Sequence, residues 1–224
     1  MKLGVITYDY SHLKTEQLVC KYIQNKNIES IELFALPFKK RKTRQVLFSH
    51  RPEMGKGITT RNLAELDKVT FSNFDGKEKI GKDCDFFVIG GAGIIDIEFA
   101  NNKPIVNAHP GIIPTCRGLD SFKWAILNGD PLGITLHLID AEVDKGKTLI
   151  IEKTPLFSSD TLNTLARRHY ELEIDLLANI PEIIKNPQNY NYLEKPATKR
   201  MNYELEKVMF ERFSCWKEKF LNKS

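Results

Sequence analysis

The residues of this chain best suited to chemistry are Asn107 and His109, which follow the short apolar segment 104–106. That segment predicts a buried β-strand that ends in a turn rich in proline and glycine. If the extended conformation continues through His109, both side chains point to one face of the strand. An amide and an imidazole can both donate hydrogen bonds, which a site needs if it must hold a developing oxyanion. Their place at the carboxyl end of a strand is where ligands bind in open α/β sheets.

A third polar group, the carboxylate of Asp144, comes later in the chain. It lies in a predicted turn between a strand at 133–139 and a second strand at 148–151. The interval between His109 and Asp144 fits one helix and one strand. Spacing alone does not show that this turn meets the amide and the imidazole.

Three motifs occur in a fixed order in this part of the chain. They are Asn-x-His-Pro-x-x-x-Pro-x-x-Arg-Gly at 107–118, Gly-x-Thr-x-His-x-x-Asp at 133–140, and Val-Asp-x-Gly at 143–146. Together they resemble the folate-dependent formyltransferase family, which includes glycinamide ribonucleotide, methionyl-tRNA and sugar-nucleotide N-formyltransferases. The resemblance is close over 86–155 and looser back to residue 1.

The resemblance implies that Asn107, His109 and Asp144 form a catalytic trio, and that N10-formyltetrahydrofolate is the formyl donor. In the mechanism we expect, the amide of Asn107 and the protonated ring of His109 hold the formyl oxygen as it becomes an oxyanion. Asp144 would favour the charged form of His109 and take a proton from the attacking amine, directly or through water.

The resemblance also implies a pocket for the pterin ring of the folate. One wall is formed by small and apolar residues after the predicted strand 84–89, namely Gly90, Gly91, Ala92, Gly93, Ile94 and Ile95. Small residues let a ligand approach the backbone, and isoleucine side chains suit a flat heterocycle. The opposite wall is the backbone of Ile139, Asp140, Ala141, Glu142 and Val143.

The order of predicted elements indicates an α/β fold, because a strand–helix–strand opening favours a doubly wound parallel sheet. We expect a Rossmann-like, mostly parallel sheet of the formyltransferase type, with a catalytic domain at 1–190 and a C-terminal extension at 191–224. Further strands are expected at 2–7, 30–36, 84–89 and 193–198, with a short one at 46–48. Helices are expected at 13–24, 59–67, 119–127, 160–185 and 203–221, and Pro181 is expected to kink or interrupt the last turn of the helix at 160–185.

The composition is that of an ordinary globular protein, with 42% hydrophobic and 28% charged residues among 224. A net charge of +4 is mild, so we expect no nucleic-acid partner. The apolar runs are too short for a membrane span or a signal peptide, which favours a cytoplasmic location. The four cysteines are scattered along the chain, and we interpret them as reduced thiols. No spacing of His, Cys or carboxylate residues predicts a metal site.

The loop after the first strand bears on the acceptor amine. Residues 8–12 contain no glycine, so bulky side chains hinder a phosphate from reaching the backbone, and Asp9 would repel one. This counts against a glycinamide ribonucleotide. The residues after 190 are too few for the extra barrel domain of methionyl-tRNA formyltransferases. We therefore expect an amino-sugar nucleotide, such as a dTDP-linked 4-amino-4,6-dideoxyhexose of the kind used in lipopolysaccharide O-antigen biosynthesis.

Several alternatives remain at this point. The residues expected to contact the acceptor are Tyr8, Asp9, Tyr10, Arg51 and Arg117. The basic segment 38–44 is either a solvated loop or a clamp for a diphosphate. The protein could instead be a ribonucleotide transformylase with an altered phosphate site, or a catalytically idle folate-binding protein. The amphipathic helix at 203–221 would pack on its own core or on a second subunit, which would make a homodimer.

Overall fold

The apolar, β-branched runs of the sequence form one central sheet in the computed structural model, which describes residues 1–39, 44–52, 57–93, 95–139, 147–188 and 195–222. Among these residues the sheet has seven strands in the order β3-β2-β1-β4-β5-β6-β7. The strands are β1 (Lys2–Tyr8), β2 (Ser30–Leu36), β3 (Val69–Asn73), β4 (Phe86–Ile89), β5 (Ile105–His109), β6 (Gly133–Leu138) and β7 (Thr148–Lys153). Pairs from β3 to β5 are parallel, whereas β5–β6 and β6–β7 are antiparallel. This confirms the predicted mostly parallel α/β fold.

The described part of the chain contains five α-helices, and their bounds are α1 (Leu13–Gln24), α2 (Ser121–Asn128), α3 (Leu162–Ala178), α4 (Ile180–Ile183) and α5 (Tyr203–Leu221). The helix predicted at 160–185 is interrupted near Pro181, as expected: α3 ends at Ala178 and the short α4 follows. Pro181 explains the break, since it lacks an N–H and its ring would clash with the carbonyl group one turn back. At the other end, Thr161 caps α3 by accepting a hydrogen bond from the N–H of Thr164.

Other differences concern short segments. The helix predicted at 59–67 is a single turn of 3₁₀-helix, Asn62–Glu65. Strand β3 was not predicted, and residues 46–48 form no strand, since Phe48 instead packs against Phe122 of α2. For the strand predicted at 193–198, residues 193 and 194 lie outside the described part, and Thr198 makes one isolated bridge with Gly118.

The core falls into hydrophobic clusters on either side of the sheet and beneath α5. The largest joins β1 and β2 to α1 and α3, with Val5, Leu18 and Leu177 fully buried. In another, Met209 and Trp216 of α5 pack with Phe122 of α2. The amphipathic α5 therefore buries its apolar face against its own chain.

The cysteines are all free thiols, and they differ in exposure. Cys20 and Cys215 are exposed, whereas Cys84 and Cys116 are buried. Burial raises the pKa of Cys84 to about 11 and that of Cys116 to about 12. Within the described residues, no helix is long and apolar enough to cross a membrane, and no group of three metal-ligating side chains is arranged to hold an ion.

Candidate active site

Strand β5 positions the two side chains that were expected to do chemistry. It extends through His109, so Asn107 and His109 occupy alternate positions on one face of the strand, as predicted. The sheet changes from parallel to antiparallel pairing at this strand. Because of that change, Asn107 lies directly opposite His137 of β6, and His109 lies opposite Thr135.

Asn107 is in contact with His137. The side-chain amide nitrogen of Asn107 is 3.3 Å from Nε2 of His137, and Nδ1 of His137 is 3.1 Å from the carbonyl oxygen of Leu138. Since a carbonyl oxygen only accepts, Nδ1 carries the hydrogen and Nε2 can accept one from the amide. The amide nitrogen has two hydrogens, so Asn107 keeps a second one to donate.

His109 is buried at the end of β5, and its ring is held by the following loop. Its Nε2 is 2.9 Å from the carbonyl oxygen of Cys116 and 3.0 Å from the hydroxyl oxygen of Ser121, the first residue of α2. The ring is therefore fixed on the protein side by two oxygen atoms.

A cavity of about 1020 Å³ opens beside Asn107 at this edge of the sheet. Gly90, Gly91, Ala92, Gly93 and Ile95 line it, as the prediction of a pterin wall requires. A Cβ atom at Gly91 would lie 2.7 Å from the ring of His12, so the backbone passes close to α1 there. At Gly93, by contrast, a Cβ atom would meet nothing within 4 Å, so that position borders open space.

A buried carboxylate between two cations forms part of the cavity wall. The two oxygens of Glu173 on α3 accept hydrogen bonds from Nζ of Lys14 at 2.8 Å and Nη2 of Arg51 at 2.7 Å. Burial by itself would raise the pKa of Glu173, but Arg51 and Lys14 outweigh it and lower that pKa to about 2. Burial lowers the pKa of Lys14, and Glu173 opposes this. The group of three carries one net positive charge.

Of the five residues predicted to contact the acceptor, Tyr8 and Arg51 line the cavity. Tyr10 stacks on Phe38, with ring centroids 4.4 Å apart and planes 9° apart, and is 44% exposed. Asp9 instead pairs with Arg61 at 3.4 Å. Arg117 donates through Nε to the carbonyl oxygen of Lys195 and does not line the cavity.

Several predicted site residues lie outside the described part of the chain, namely Ile94, Asp140, Ala141, Glu142, Val143 and Asp144. Their assigned roles stay predictions. Ile139, which was placed in the second folate wall, donates its backbone N–H to the carbonyl oxygen of Ile105 at 2.8 Å. Its side chain packs against the cluster that contains Phe99.

Sequence reasoning missed Lys14, Tyr170 and Glu173, all of which line the cavity. His137, which contacts Asn107, was not among the predicted site residues either. A signal for Glu173 was present, since it falls on the apolar stripe of α3, four residues after the buried His169. A carboxylate on a buried stripe requires a cationic partner, but the sequence does not say which one.

Comparisons with known proteins agree with this geometry. A family model described as Formyl transferase matches residues 93–180, the segment that contains β5 and β6. Phosphoribosylglycinamide formyltransferase from Haemophilus influenzae is 34% identical over 82 residues, which is 36% of this chain and 37% of that protein. Methionyl-tRNA formyltransferase from Fusobacterium nucleatum is 33% identical over 82 residues, which is 36% of this chain and 26% of that protein. The matched segment thus spans 37% of the length of the first of these relatives and 26% of the second.

Solved structures extend the likeness of the fold over almost the whole chain. A sugar N-formyltransferase from Shewanella sp FDAARGOS_354 has a TM-score of 0.61 and 18% identity, covering 95% of this chain and 87% of that one. A 4-N formyltransferase from Francisella tularensis has a TM-score of 0.61 and 17% identity with the same coverage. Phosphoribosylglycinamide formyltransferase from Bacillus halodurans has a TM-score of 0.57 and 19% identity, covering 81% and 95%. The chain therefore has the formyltransferase fold, and the resemblance to the folate-dependent formyltransferase family is confirmed.

Proposed function

We propose that this protein transfers the formyl group of N10-formyltetrahydrofolate to the amino group of a nucleotide-linked amino sugar, such as a dTDP-linked 4-amino-4,6-dideoxyhexose. The observation that carries the proposal is the placement of Asn107 and His109 on one face of β5, inside the segment that matches the family model, with Asn107 in the lining of the cavity. A structural neighbour from Anoxybacillus kamchatkensis is described in complex with a UDP-linked formamido sugar and tetrahydrofolate.

The donor supplies a formyl carbonyl group when it is bound. The residues that would hold its pterin are Gly90 to Gly93 and Ile95, because they give the cavity a wall with little side-chain bulk. Attack by the amine turns the formyl oxygen into an oxyanion, which the second amide hydrogen of Asn107 and the imidazolium of His109 stabilise. Asp144 takes the proton that the amine loses, by the assignment made from the sequence. The oxyanion then re-forms the carbonyl group as the bond between the formyl carbon and N10 breaks, and N10 takes up a proton so that tetrahydrofolate leaves.

An acidic acceptor is supported by the charge of the cavity wall. Arg51 donates to Glu173 through Nη2, and a guanidinium group has five N–H donors, so it keeps donors for an anion. Together with Lys14 it leaves one positive charge that Glu173 does not neutralise. A diphosphate is a ligand of matching charge, and Arg binds phosphate oxygens with good geometry.

A nucleoside is supported by the aromatic residues of the cavity. Tyr8 and Phe38 line it, with ring centroids 5.5 Å apart, and the exposed Tyr10 is stacked on Phe38. Aromatic side chains of this kind provide a flat surface for a nucleobase. The combination of stacked rings and cations in one cavity favours a nucleotide-linked sugar over a free amine.

The second candidate acceptor is glycinamide ribonucleotide, favoured by the 34% identity to the Haemophilus influenzae enzyme. The loop between β1 and α1 argues against it. The N–H of Asp9 donates to the carbonyl oxygen of Leu36, and that of Tyr10 donates to the carbonyl oxygen of Tyr8, both at 2.8 Å. Two amides that would otherwise cradle a phosphate are therefore already engaged.

The test is an assay of tetrahydrofolate release with the purified full chain, N10-formyltetrahydrofolate and a panel of acceptors. The panel contains dTDP- and UDP-linked amino sugars, glycinamide ribonucleotide and methionyl-tRNA, and mass spectrometry identifies a formylated product. Turnover with a nucleotide-linked amino sugar is expected. Turnover with the ribonucleotide alone would replace the acceptor proposed here, and folate binding without turnover on any amine would indicate an idle folate-binding protein.

A further inference from the structure

His12 is a buried histidine in the cavity wall that the proposed mechanism does not use. The residue is 6% exposed, and it lines the cavity together with Tyr8 and Gly91. A Cβ atom at Gly91 would lie 2.7 Å from Cε1 and 3.0 Å from Nε2 of this ring. Because glycine has no Cβ atom, no side chain at this position covers the edge of the imidazole that carries Nε2.

Two buried threonines form a chain of hydrogen bonds with the other ring nitrogen. Nδ1 of His12 lies 2.8 Å from Oγ1 of Thr15, and that oxygen lies 2.6 Å from Oγ1 of Thr7 on β1. Both threonines are fully buried. Within the described residues, the Thr7 hydroxyl has no hydrogen-bond partner besides Thr15, and Nε2 of His12 has none. The chain thus begins inside the protein and ends at the cavity.

Among the residues that the structure describes, only one arrangement of hydrogens satisfies this chain. Thr7 donates to Thr15 and Thr15 donates to Nδ1, so each hydroxyl hydrogen has an acceptor. If Nδ1 carried a hydrogen, it would donate to Thr15, and one buried threonine would be left with a hydrogen that has no acceptor. That arrangement is unfavourable. Nδ1 of His12 therefore accepts, and the hydrogen of the neutral ring lies on Nε2.

The surroundings keep this ring uncharged near neutral pH. Burial and the nearby cations Lys14 and Arg51 lower the pKa of His12 to about 4, although Glu173 opposes them. The neutral imidazole offers one hydrogen, from Nε2, to a ligand in the cavity. The group that it can bind is a hydrogen-bond acceptor such as a ligand oxygen.

The position of His12 along the cavity indicates which ligand presents that oxygen. Gly91 follows β4, which lies between β5 with Asn107 and β1 with Tyr8. Tyr8 lies edge-on to His12 with ring centroids 5.8 Å apart, and Phe38 lies edge-on to Tyr8. His12 is thus placed between the amide proposed to act on the formyl group and the aromatic rings proposed to hold the nucleobase.

We propose that His12 is a specificity-determining residue, which donates the hydrogen on Nε2 to an oxygen of the acceptor between its amino group and its nucleobase. This inference rests on the proposed function, because that function sets the two ends of the acceptor. Oxygens of the hexose and of the diphosphate share this chemistry, and ligands with and without the sugar distinguish them. Thr15 and Thr7 are positioning residues, because they act through the ring of His12.

The tautomer is tested without any substrate. Long-range ¹H–¹⁵N spectra of the full chain at pH 7 distinguish a ring nitrogen that carries hydrogen from one with a lone pair. His12→Gln identifies the signals of His12 among the five histidines. Hydrogen on Nε2 is expected, and Thr15→Val should shift the Nδ1 signal, whereas Thr70→Val, at an exposed position of β3, should not. A wild-type ring with its hydrogen on Nδ1 would overturn the inference.

The contact with the acceptor is tested with two substitutions of His12. Calorimetry measures Kd for a dTDP-linked 4-amino-4,6-dideoxyhexose, for dTDP and for tetrahydrofolate. In His12→Asn the side chain is too short to reach the place of Nε2, so Kd for the sugar nucleotide should rise about fivefold to tenfold, the worth of one hydrogen bond. In His12→Gln an amide nitrogen can take that place, so Kd should stay within about threefold of the wild-type value. Kd for tetrahydrofolate should change in neither variant.

The binding of dTDP identifies the oxygen. If His12→Asn also weakens dTDP, the contact is to the diphosphate, and if dTDP binds unchanged, the contact is to the hexose. The inference is overturned if the wild-type protein does not bind the sugar nucleotide, if Kd for it is unchanged in His12→Asn, or if only tetrahydrofolate binds more weakly.

The two proposals can fail separately. If the wild-type protein formylates no amine but Kd for the sugar nucleotide depends on His12 as expected, the formyl-transfer function is wrong and the contact stands. If formylation is observed and His12→Asn leaves both Kd and KM for the acceptor unchanged, the contact is wrong and the function stands.

Discussion

Glu206 of α5 and Lys123 of α2 form an ion pair inside the protein, where their side chains are 0% and 3% exposed. The second oxygen of the Glu206 carboxylate accepts a hydrogen bond from the backbone N–H of Leu47. One buried carboxylate thus joins α2, α5 and the segment that leads to Arg51. Because α2 begins at Ser121, which contacts His109, the C-terminal helix supports both the surroundings of His109 and the segment that leads to Arg51.

Replacing Glu206 should therefore destabilise the whole protein. Glu206→Ala leaves the Lys123 ammonium buried without its partner, which typically costs about 3–5 kcal/mol. Urea denaturation followed by circular dichroism measures the change. Glu204→Ala is the matched control on the same helix, since Glu204 forms an exposed pair with Lys207, and its expected loss is below about 1 kcal/mol. Equal losses for the two variants would contradict the structural role of Glu206.

Asn107→Ala tests the proposed oxyanion contact. Loss of one such donor is expected to lower kcat by about a hundredfold to a thousandfold, because the amide acts on charge that develops during the reaction. Steady-state kinetics with the best acceptor measure the effect. Asn73→Ala is the control, since Asn73 ends β3 and its side-chain oxygen accepts a hydrogen bond from the exposed Arg61. Normal turnover of the Asn107 variant would rule out the mechanism.

Arg51→Ala tests the cationic wall of the cavity. The variant loses a guanidinium that faces the acceptor, so KM for a nucleotide-linked amine should rise by about tenfold with a smaller change in kcat. Arg167→Ala removes an exposed guanidinium from α3, where it pairs with Glu171, and should leave KM unchanged. If KM for the acceptor is the same in Arg51→Ala and in the wild-type protein, the anion binds elsewhere.

Tyr10→Ala tests the stacking surface. Removing one aromatic partner of a base typically costs about 1–3 kcal/mol, which corresponds to at least a severalfold higher KM for a nucleotide-linked acceptor. KM for the same sugar without its nucleotide should not change. The control is Tyr203→Ala on α5, where the ring contacts Lys207. An equal effect on both acceptors would argue against base stacking at Tyr10.

Two buried histidines, His12 and His169, and the half-buried His50 predict how stability depends on pH. Burial, with nearby cations, lowers the pKa of His12 to about 4, of His50 to about 3 and of His169 to about 4. The unfolded chain binds protons at these residues below about pH 6.5, whereas the folded chain does so only below about pH 4. The free energy of unfolding should therefore fall as the pH is lowered from 6.5 to 4. Over this range, each histidine should lower the equilibrium constant for folding by about tenfold per pH unit.

Urea denaturation at pH 7.5, 6 and 5 measures this dependence. His50 stacks flat on Phe122, with 5.6 Å between ring centroids, so His50→Phe keeps a ring in place and removes one titrating group. The slope should become shallower in that variant. Stability that stays constant from pH 7.5 to 5 would contradict the burial of neutral histidines.

The sequence was informative where local chemistry alone determines structure. The apolar runs at 2–7 and 30–36 form strands because their side chains are buried, and the period of two correctly placed Asn107 and His109 on one face. Strand β3 was missed because it is short, contains Thr70, Ser72 and Asn73, and pairs only with β2 at the edge of the sheet. Its pairing follows from the neighbouring strand more than from its own pattern.

Contacts between segments that are far apart in the chain could not be predicted from the sequence. Lys14 and Glu173 are separated by 159 residues, and only the packing of α1 on α3 brings them together. The contact of Ser121 with His109 depends on how the intervening loop closes, which residue types alone do not determine. Asp9 and Arg117, which were expected to contact the acceptor, also have protein partners in the folded chain that the sequence did not predict.

The uneven burial of the four thiols has a practical use. Maleimide reagents react with thiolates, so they should modify Cys20 on α1 and Cys215 on α5 and spare the two inaccessible thiols. The native chain thus offers one attachment point on a helix that covers the central sheet and another on the C-terminal helix. A donor and an acceptor dye placed there would report, by energy transfer, whether α5 moves when folate or a sugar nucleotide is added.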